Sequence, residues 1–206
     1  MAYTQAKFAT FEDYLAHSDE MGLVGRFQLI DGELVELPPE SEPNDFVADN
    51  LQFYLAMLQE RPEVANANLF PRRLVKTHTC EVQVPVLQPK DPANRFPDLV
   101  ILQEEHLELT QRRLTITLDM PPPRLIAEVV SPGKTNRDRD TIHKRSQYAA
   151  LGVPEYWLID PDGKTVTVLA LNAEDYQVIG TFGGSESIQS QELPGLALTA
   201  EQLFEE

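Results

Sequence analysis

Two hydrophobic periods run along this chain, and each predicts a different kind of element. Between residues 44 and 59 the apolar positions repeat at helical spacing and share one face, namely Val47, Leu51, Tyr54, Leu55 and Leu58. This pattern is typical of an amphipathic helix packed on a sheet. Shorter helices are predicted at residues 10–17, with Thr10 as the N-cap, and at residues 140–151, which are followed by Gly152 as a cap.

Short apolar runs bounded by turn residues predict the strands. Asp31 and Gly32 separate two such runs, at residues 27–30 and 33–37, and this arrangement is one of the strongest hairpin signals in a sequence. Further strands are predicted at residues 69–79, 81–87, 99–102, 125–130, 156–160 and 165–171. An irregular acidic stretch is predicted at residues 103–109. Because a strand, a helix and another strand follow one another after residue 124, the chain is predicted to have an α/β core.

The length and composition indicate one folded unit without a membrane span. The chain has 206 residues, of which 42% are hydrophobic, enough for one domain with a sizeable core. We expect a single domain over residues 1–206, with an N-terminal helix and hairpin at about 10–37, a core at about 44–171 and a C-terminal tail at 172–206. The lone Cys80 excludes an internal disulfide, and the lack of a signal sequence or a long apolar run predicts a cytoplasmic protein with no membrane partner.

The chain is strongly acidic, but its charge is unevenly distributed. The formal net charge is −16 at pH 7, which opposes general binding to nucleic acid because phosphate binding depends on Lys and Arg. Residues 124–145 are an exception, since six basic residues there outnumber three acidic ones, a local balance of +3. Taken alone, such a run is usually the solvated face of a helix.

One carboxylate stands out because its neighbours are apolar. Glu128 lies in the run Leu-Ile-Ala-Glu-Val-Val at residues 125–130, and burying an ionised carboxylate costs several kcal/mol unless a cation or a hydrogen-bond donor meets it. Asp98 has a similar setting, directly before the apolar run 99–102. Two acids on neighbouring buried strands predict a site for a hard cation.

Other kinds of site have little support in the sequence. The histidines are scattered, so no zinc site is predicted; they are His17, His78, His106 and His143. There is no phosphate-binding loop, no dinucleotide-binding glycine motif and no serine-hydrolase motif. Tyr156 and Trp157 lie in an apolar strand, where core packing is a better explanation than stacking on bases.

Several of these segments together resemble one known family. They are the pair Pro97-Asp98, the run from Glu128 to Pro132, the helix with Asp140, Lys144 and Tyr148, and the run from Gly152 to Pro161. In this combination the chain resembles a bacterial restriction-endonuclease-like family of the PD-(D/E)xK nuclease superfamily. The resemblance covers nearly the whole chain. It implies an α/β fold with a restriction-endonuclease-like core, in which a mixed β-sheet is flanked by helices, and with an N-terminal β-hairpin extension.

The resemblance also implies a metal site and its catalytic residues. Asp98, Glu128 and the main-chain carbonyl of Val129 would bind Mg²⁺ or Mn²⁺, which polarises the scissile phosphate. The superfamily lysine usually lies two residues after the glutamate, where this chain has a valine; in this family it is displaced onto the following helix, where Lys144 matches. Asp140, one turn earlier, would orient Lys144. For this catalytic role, truncating Lys144 as a surface-capable lysine is expected to abolish cleavage and to change stability by no more than about 0.5 kcal/mol. The alternative is that Lys144 only neutralises Glu128 as an ion pair, in which case its truncation is expected to unfold the protein.

These residues predict a Mg²⁺-dependent endonuclease that hydrolyses DNA phosphodiester bonds, as a homodimer by analogy with nucleases that cut two strands. Two positions depart from the family pattern, because Gln28 stands where the family often has Glu and Asn44 where it often has His. A neutral amide supplies neither the charge of a carboxylate ligand nor an acid or base. Two alternatives therefore stay open: a catalytically weakened nuclease-fold module for binding or assembly, and a metal-dependent hydrolase of RNA.

Overall fold

A six-stranded mixed β-sheet forms the centre of the fold in a computed structural model, which describes residues 7–18, 20–58, 71–133 and 137–205. In chain order, the strands of these residues are β1 Phe27–Ile30, β2 Glu33–Glu36, β3 Val75–Thr77, β4 Glu81–Gln83, β5 Asn94–Arg95, β6 Leu99–Ile101, β7 Thr115–Ile116, β8 Leu125–Val129, β9 Glu155–Asp160, β10 Thr165–Asn172 and β11 Asp175–Gly183. The large sheet has the order β11-β10-β9-β8-β6-β3. Within it β8 and β9 are parallel, and the other neighbours are antiparallel.

Two smaller sheets accompany the large one. Strands β5, β4 and β7 form a three-stranded sheet, and β1 pairs with β2 as a hairpin. Asp31 and Gly32 make the hairpin turn with φ values of 50° and 82°, in the left-handed region that a two-residue turn requires and that Asp and Gly tolerate. The predicted hairpin is therefore present, with Ile30 opposite Glu33.

The α-helices of the described residues pack around these sheets. They are α1 Phe11–Ser18, α2 Glu42–Leu58, α3 His106–Leu109, α4 Arg145–Leu151 and α5 Ala200–Phe204. A π-helical segment, Arg139–Lys144, leads directly into α4. The residue after α4 is Gly152, with a φ of 86°, so the predicted glycine cap is present. The sequence predicted one regular helix over residues 140–151, and the π-helical geometry of its first half was not foreseen.

Both faces of the large sheet are covered, which explains why β8 is almost continuously apolar. Leu51 of α2 shares one core cluster with Leu125 of β8. Tyr148 of α4 shares the opposite cluster with Ile126, the next residue of the same strand. Because successive side chains of a strand point to opposite faces, Glu128 points to the same face as Ile126, the one that α4 covers.

The C-terminal segment is tied to the sheet through Glu155. This carboxylate is fully buried and accepts hydrogen bonds from Trp157 Nε1 at 2.7 Å, Ser190 Oγ at 2.6 Å and the Gln191 N–H at 2.8 Å. The segment 172–206, predicted as a tail, also supplies β11 at one edge of the sheet, and α5 contributes side chains to the core cluster on the α2 face. These residues are thus part of the packed structure.

The α/β fold predicted from the sequence is confirmed, with a mixed sheet, flanking helices and the N-terminal hairpin. The differences are local. A short helix, α3, lies within residues 103–109, which were predicted to be irregular. Of the strand predicted at 69–79, residues 72–74 form a 3-10 helix and residues 75–77 form β3. Residues 69–70 of that prediction and residue 59 of the predicted long helix lie outside the described residues. None of the helices that the structure describes combines the length and apolarity needed to cross a membrane.

Candidate active site

Glu128 is fully buried, and both of its oxygens face polar groups from the helical segment that follows. The Tyr148 hydroxyl donates a hydrogen bond to Oε1 at 2.7 Å, and Lys144 Nζ lies 2.8 Å from Oε2. Burial raises the pKa of Glu128 to about 7, although the charge of Lys144 opposes the shift. The partner that the sequence required for this carboxylate is therefore Lys144, a contact that the displaced-lysine interpretation and the ion-pair alternative both predicted.

Lys144 is held by a second buried acid in the π-helical segment. Its Nζ lies 2.9 Å from Asp140 Oδ1, and Arg139 Nε donates to the same oxygen at 3.1 Å. Burial lowers the pKa of Lys144, but the charges of Glu128, Asp140 and Asp98 outweigh burial and raise it overall, so the ammonium stays charged at neutral pH. A π-helical turn holds an extra residue in each turn and is frequent at functional sites. Here it brings both Asp140 and Lys144 to Glu128.

Asp98 directly precedes β6, the strand that pairs with β8, which carries Glu128. Leu99 pairs with Ala127, and extending that register by one residue sets Asp98 opposite Glu128. The Val129 N–H donates to Asp98 Oδ2 at 2.7 Å. Burial opposes ionisation of Asp98, but the His78 imidazole, whose Nδ1 lies 3.5 Å from Asp98 Oδ1, the charge of Lys144 and the Val129 N–H together lower its pKa. The two predicted acids are thus brought together, with Asp98 held in its ionised form.

A cleft of about 280 Å³ opens beside these groups. Asp98, Lys144 and Val129 line it, and Lys144 reaches from its wall to Glu128, which has no exposed surface. The two positions that depart from the family pattern, Gln28 and Asn44, also line the cleft. The Asn44 Nδ2 group donates to Ser131 Oγ at 3.0 Å and makes a longer contact, 3.5 Å, with the Val129 carbonyl oxygen.

His78 and Glu40 lie at the same site, although sequence reasoning assigned no role to either. Ligand atoms of Glu40, His78 and Asp98 all lie within 4.8 Å of one another. Thr77 pairs with Leu99, so the same register places His78 beside Asp98, and the His78 N–H donates to the Asp98 carbonyl at 3.1 Å. No local pattern marks these residues, because strand pairing brings His78 to Asp98 and packing of the segment between β2 and α2 brings Glu40 there.

Arg95 is a further residue of the cleft that the sequence did not single out. Its side chain is 4% exposed, and its Nε and Nη2 groups donate to Gln147 Oε1 at 2.9 and 2.7 Å. The Gln147 amide in turn donates to the carbonyls of Pro85 and Pro92 at 2.8 and 3.0 Å, which fixes its oxygen toward the guanidinium. Within the described part of the chain, Arg95 makes no ion pair with a carboxylate. The structure therefore holds a positioned cation beside the acids.

The donor atoms at the centre of the site fit a hard divalent cation. Asp140 Oδ2 is buried and has no hydrogen-bond partner of good geometry among the described residues, and the contact of the buried Glu128 Oε2 is its ion pair with Lys144. Asp98, Glu128 and the Val129 carbonyl together offer only oxygen, the donor type that Mg²⁺ and Mn²⁺ prefer. Lys144 is the cation that now lies closest to the Glu128 oxygen.

Comparison with known proteins identifies the family and the fold of the chain. The family model Uma2, described as a putative restriction endonuclease, matches residues 11–201. The crystal structure of a putative nuclease belonging to DUF820 from Anabaena variabilis shares the fold, with a TM-score of 0.56 and 15% sequence identity over 91% of this chain and 96% of that chain. No curated protein matches the chain significantly. The family resemblance inferred from the sequence is confirmed, and the chain belongs to the Uma2 family of putative restriction endonucleases.

Proposed function

We propose that this protein is a metal-dependent endonuclease that hydrolyses DNA phosphodiester bonds, with Asp98, Glu128 and Lys144 as its catalytic centre. Family membership and the nuclease fold support a nuclease-like function. The observation that carries the assignment is the ammonium of Lys144, which lies 2.8 Å from the buried Glu128 carboxylate at the edge of a cleft that Asp98 also lines.

Asp98, Glu128 and the Val129 carbonyl are the groups that would hold Mg²⁺ or Mn²⁺. When bound there, such an ion supplies Lewis acidity toward the phosphate and lowers the pKa of a coordinated water. The protein keeps these donors in place without it: the Tyr148 hydroxyl fixes Glu128 Oε1, and the Val129 N–H fixes Asp98 Oδ2.

In this scheme Lys144 acts on the phosphate and on the attacking water through its positive charge. Its ammonium is kept charged by the acids around it, and it lines the cleft in which a phosphate would bind. A fixed ammonium in a largely buried site stabilises the negative charge that develops on the phosphate and orients an attacking water. Asp140 restrains Lys144 from the other side, at 2.9 Å.

Arg95 is proposed to bind the phosphate itself. A buried guanidinium needs an anion, and Gln147, its hydrogen-bond partner, is neutral. Arginine donates charge-assisted hydrogen bonds to phosphate oxygens, and its planar fork suits such an oxyanion. Because the chain has a net charge of −16, the positive charge of Arg95 in the cleft would offset the general repulsion of DNA.

One observation favours the alternative of a binding or assembly module that has lost catalysis. The Asn44 amide points its donor at the Val129 carbonyl oxygen, one of the proposed cation ligands, and no acid or imidazole stands at position 44. A donor aimed at that oxygen competes with a cation for it. This alternative and the RNA hydrolase are therefore tested together with the main proposal.

The test is cleavage of supercoiled plasmid DNA and of a matched RNA with Mg²⁺, Mn²⁺ or EDTA. Cleavage of DNA is expected with either metal and not with EDTA. Glu128→Gln and Lys144→Met are each expected to lower the rate by about 100-fold or more. Binding of DNA without cleavage under every condition would favour the binding module, and cleavage of the RNA alone would favour the RNA hydrolase.

A further inference from the structure

A second group of potential metal ligands lies beside the cleft and shares Asp98 with the all-oxygen set around Glu128. It consists of Glu40, from the segment between β2 and α2, His78, in the turn after β3, and Asp98, directly before β6. One ligand atom from each of the three lies within 4.8 Å of the other two. Three separate parts of the chain thus converge on one small volume at the cleft wall.

His78 is the unusual member of this group. Both of its ring nitrogens are buried, and neither has a hydrogen-bond partner of good geometry among the described residues. Its closest polar contacts are carboxylates, with Nδ1 at 3.5 Å from Asp98 Oδ1 and Nε2 at 3.3 Å from Asp45 Oδ1. Buried polar atoms without partners are rare in folded proteins, and an ion that is absent from the coordinates is one of their ordinary explanations.

The charge around His78 favours a cation. Glu40, Asp45 and Asp98 all face the imidazole, and the cation paired with this group is Arg26, whose Nη2 lies 2.9 Å from Glu40 Oε1. Three carboxylates against one guanidinium leave an excess of negative charge, because Lys144, the other nearby cation, is already paired with Glu128 and Asp140. A divalent ion removes that excess, and an imidazole nitrogen is a ligand that such an ion accepts.

We propose that Glu40, His78 and Asp98 form a second cation site, selective for a transition metal such as Mn²⁺ over Mg²⁺. Imidazole suits transition metals, whereas Mg²⁺ prefers oxygen and keeps several waters. The proposal rests on the proposed function in one respect: Asp98 is shared, so the protein would carry two neighbouring cations, an arrangement used by many nucleases to bind both sides of a scissile phosphate.

The experiment follows bound Mn²⁺ by pulsed electron paramagnetic resonance, with Mn²⁺ alone as the ligand and no nucleic acid present. Coordination by His78 is expected to produce ¹⁴N coupling in the wild-type spectrum. His78→Asn is expected to abolish that coupling; Asn is chosen because residue 78 has a φ of 53°, a conformation that Asn tolerates well. Glu40→Gln is expected to weaken Mn²⁺ binding by about tenfold or more.

Two variants serve as controls. His17→Gln changes another histidine that lies beside an aspartate, Asp13, but on the exposed surface of α1, and it is expected to leave the ¹⁴N coupling unchanged. Glu128→Gln removes a ligand of the first site only and is expected to retain the coupling. Its effect on DNA cleavage reports separately on the proposed function.

Each contrary outcome has a defined meaning. Mn²⁺ bound without ¹⁴N coupling, or coupling that survives in a folded His78→Asn protein, would overturn the second site and identify His78 as an imidazolium paired with Asp45 and Asp98. Loss of the coupling in His17→Gln would also overturn it. Full cleavage by Glu128→Gln would instead refute the proposed function and leave the second site standing.

Discussion

The burial of Lys144 changes the expected effect of its substitution on the stability of the protein. The sequence treats it as a surface-capable side chain, yet it is 11% exposed and lies between Glu128 and Asp140, neither of which has exposed surface. Lys144→Ala therefore leaves two buried carboxylates without their cation. We expect it to lower the free energy of unfolding by about 3 kcal/mol, well above the 0.5 kcal/mol or so expected of a surface lysine, as measured by urea denaturation.

A double substitution separates this loss of stability from the loss of chemistry. Lys144→Met with Glu128→Gln removes one cation and one anion from the same buried pair, so part of the lost stability should return while cleavage stays absent. Retention of wild-type stability by Lys144→Ala alone would mean that the ion pairs are not formed in solution.

Arg95 permits a test of phosphate binding that does not depend on cleavage. Arg95→Gln is expected to weaken DNA binding in Ca²⁺ and to reduce the slope of log affinity against log salt by about 1, the effect of losing one phosphate contact. Fluorescence anisotropy over a range of salt concentrations measures both quantities. The matched control is Arg145→Gln, because Arg145 is paired with Asp175 on the surface. An equal change in both variants would assign the effect to net charge alone.

At the scale of elements, the π-helical segment is the device that positions the lysine. Deleting Ile142, which is about half exposed, removes one residue from the segment and favours a regular α-helix. Each residue of an α-helix turns the chain by about 100°, so Asp140 and Lys144, then three residues apart, would still lie on one side of the helix, but Lys144 Nζ would be displaced from its position against Glu128. We expect near-native circular dichroism with cleavage reduced by about 100-fold or more.

The control for that deletion is Ile142→Ala, which keeps the number of residues and is expected to cleave normally. Normal cleavage by the deletion variant would show that the π-helical geometry is not needed to position Lys144.

The elements that the sequence predicted well are those with a strong local pattern. The Asp31-Gly32 hairpin, the amphipathic α2 and the apolar β8 each combine periodicity with a clear boundary signal. The π-helical segment has no such signal. Strand β11 was missed because it lies at the sheet edge, where exposed and half-buried positions do not alternate cleanly.

The same distinction between residues with and without a local sequence pattern applies to the candidate site. Asp98, Glu128 and Lys144 were found because buried acids and a family motif mark them in the sequence. Glu40, His78 and Arg95 were not, since they reach the site through strand pairing and loop packing between segments far apart in the chain. Their roles depend on neighbours that a local pattern does not reveal.

At the scale of the whole molecule, the basic stretch 124–145 is largely neutralised in the fold. Its arginines pair with carboxylates from within and beyond the stretch, namely Arg124 with Glu192, Arg137 with Asp160, Arg139 with Asp140 and Arg145 with Asp175. Its Lys134 lies outside the described residues. The local excess of positive charge counted from the sequence is therefore not a free surface for phosphates. The predicted homodimer stays a prediction.

DNA binding is accordingly expected to depend on metal. Without a divalent ion, the net charge of −16 and the ionised Asp98 repel the phosphates. Ca²⁺, which accepts oxygen ligands but supports such chemistry poorly, should strengthen binding by about tenfold or more without cleavage. A mobility shift at low salt, with no metal, Ca²⁺ or Mg²⁺, measures this. Glu128→Ala should lose the gain, and tight binding without metal would contradict the expectation.

The carboxylate of Glu155 has a practical consequence for such experiments. It binds the indole N–H of Trp157, the single tryptophan of the chain, and also anchors residues 190–192. The indole has no exposed surface, so its emission should be blue-shifted in the native protein and move to the red when water reaches it. Detachment of the C-terminal segment would alter the same signal. The chain thus carries a built-in fluorescent reporter of its own integrity, readable without a label in every variant described above.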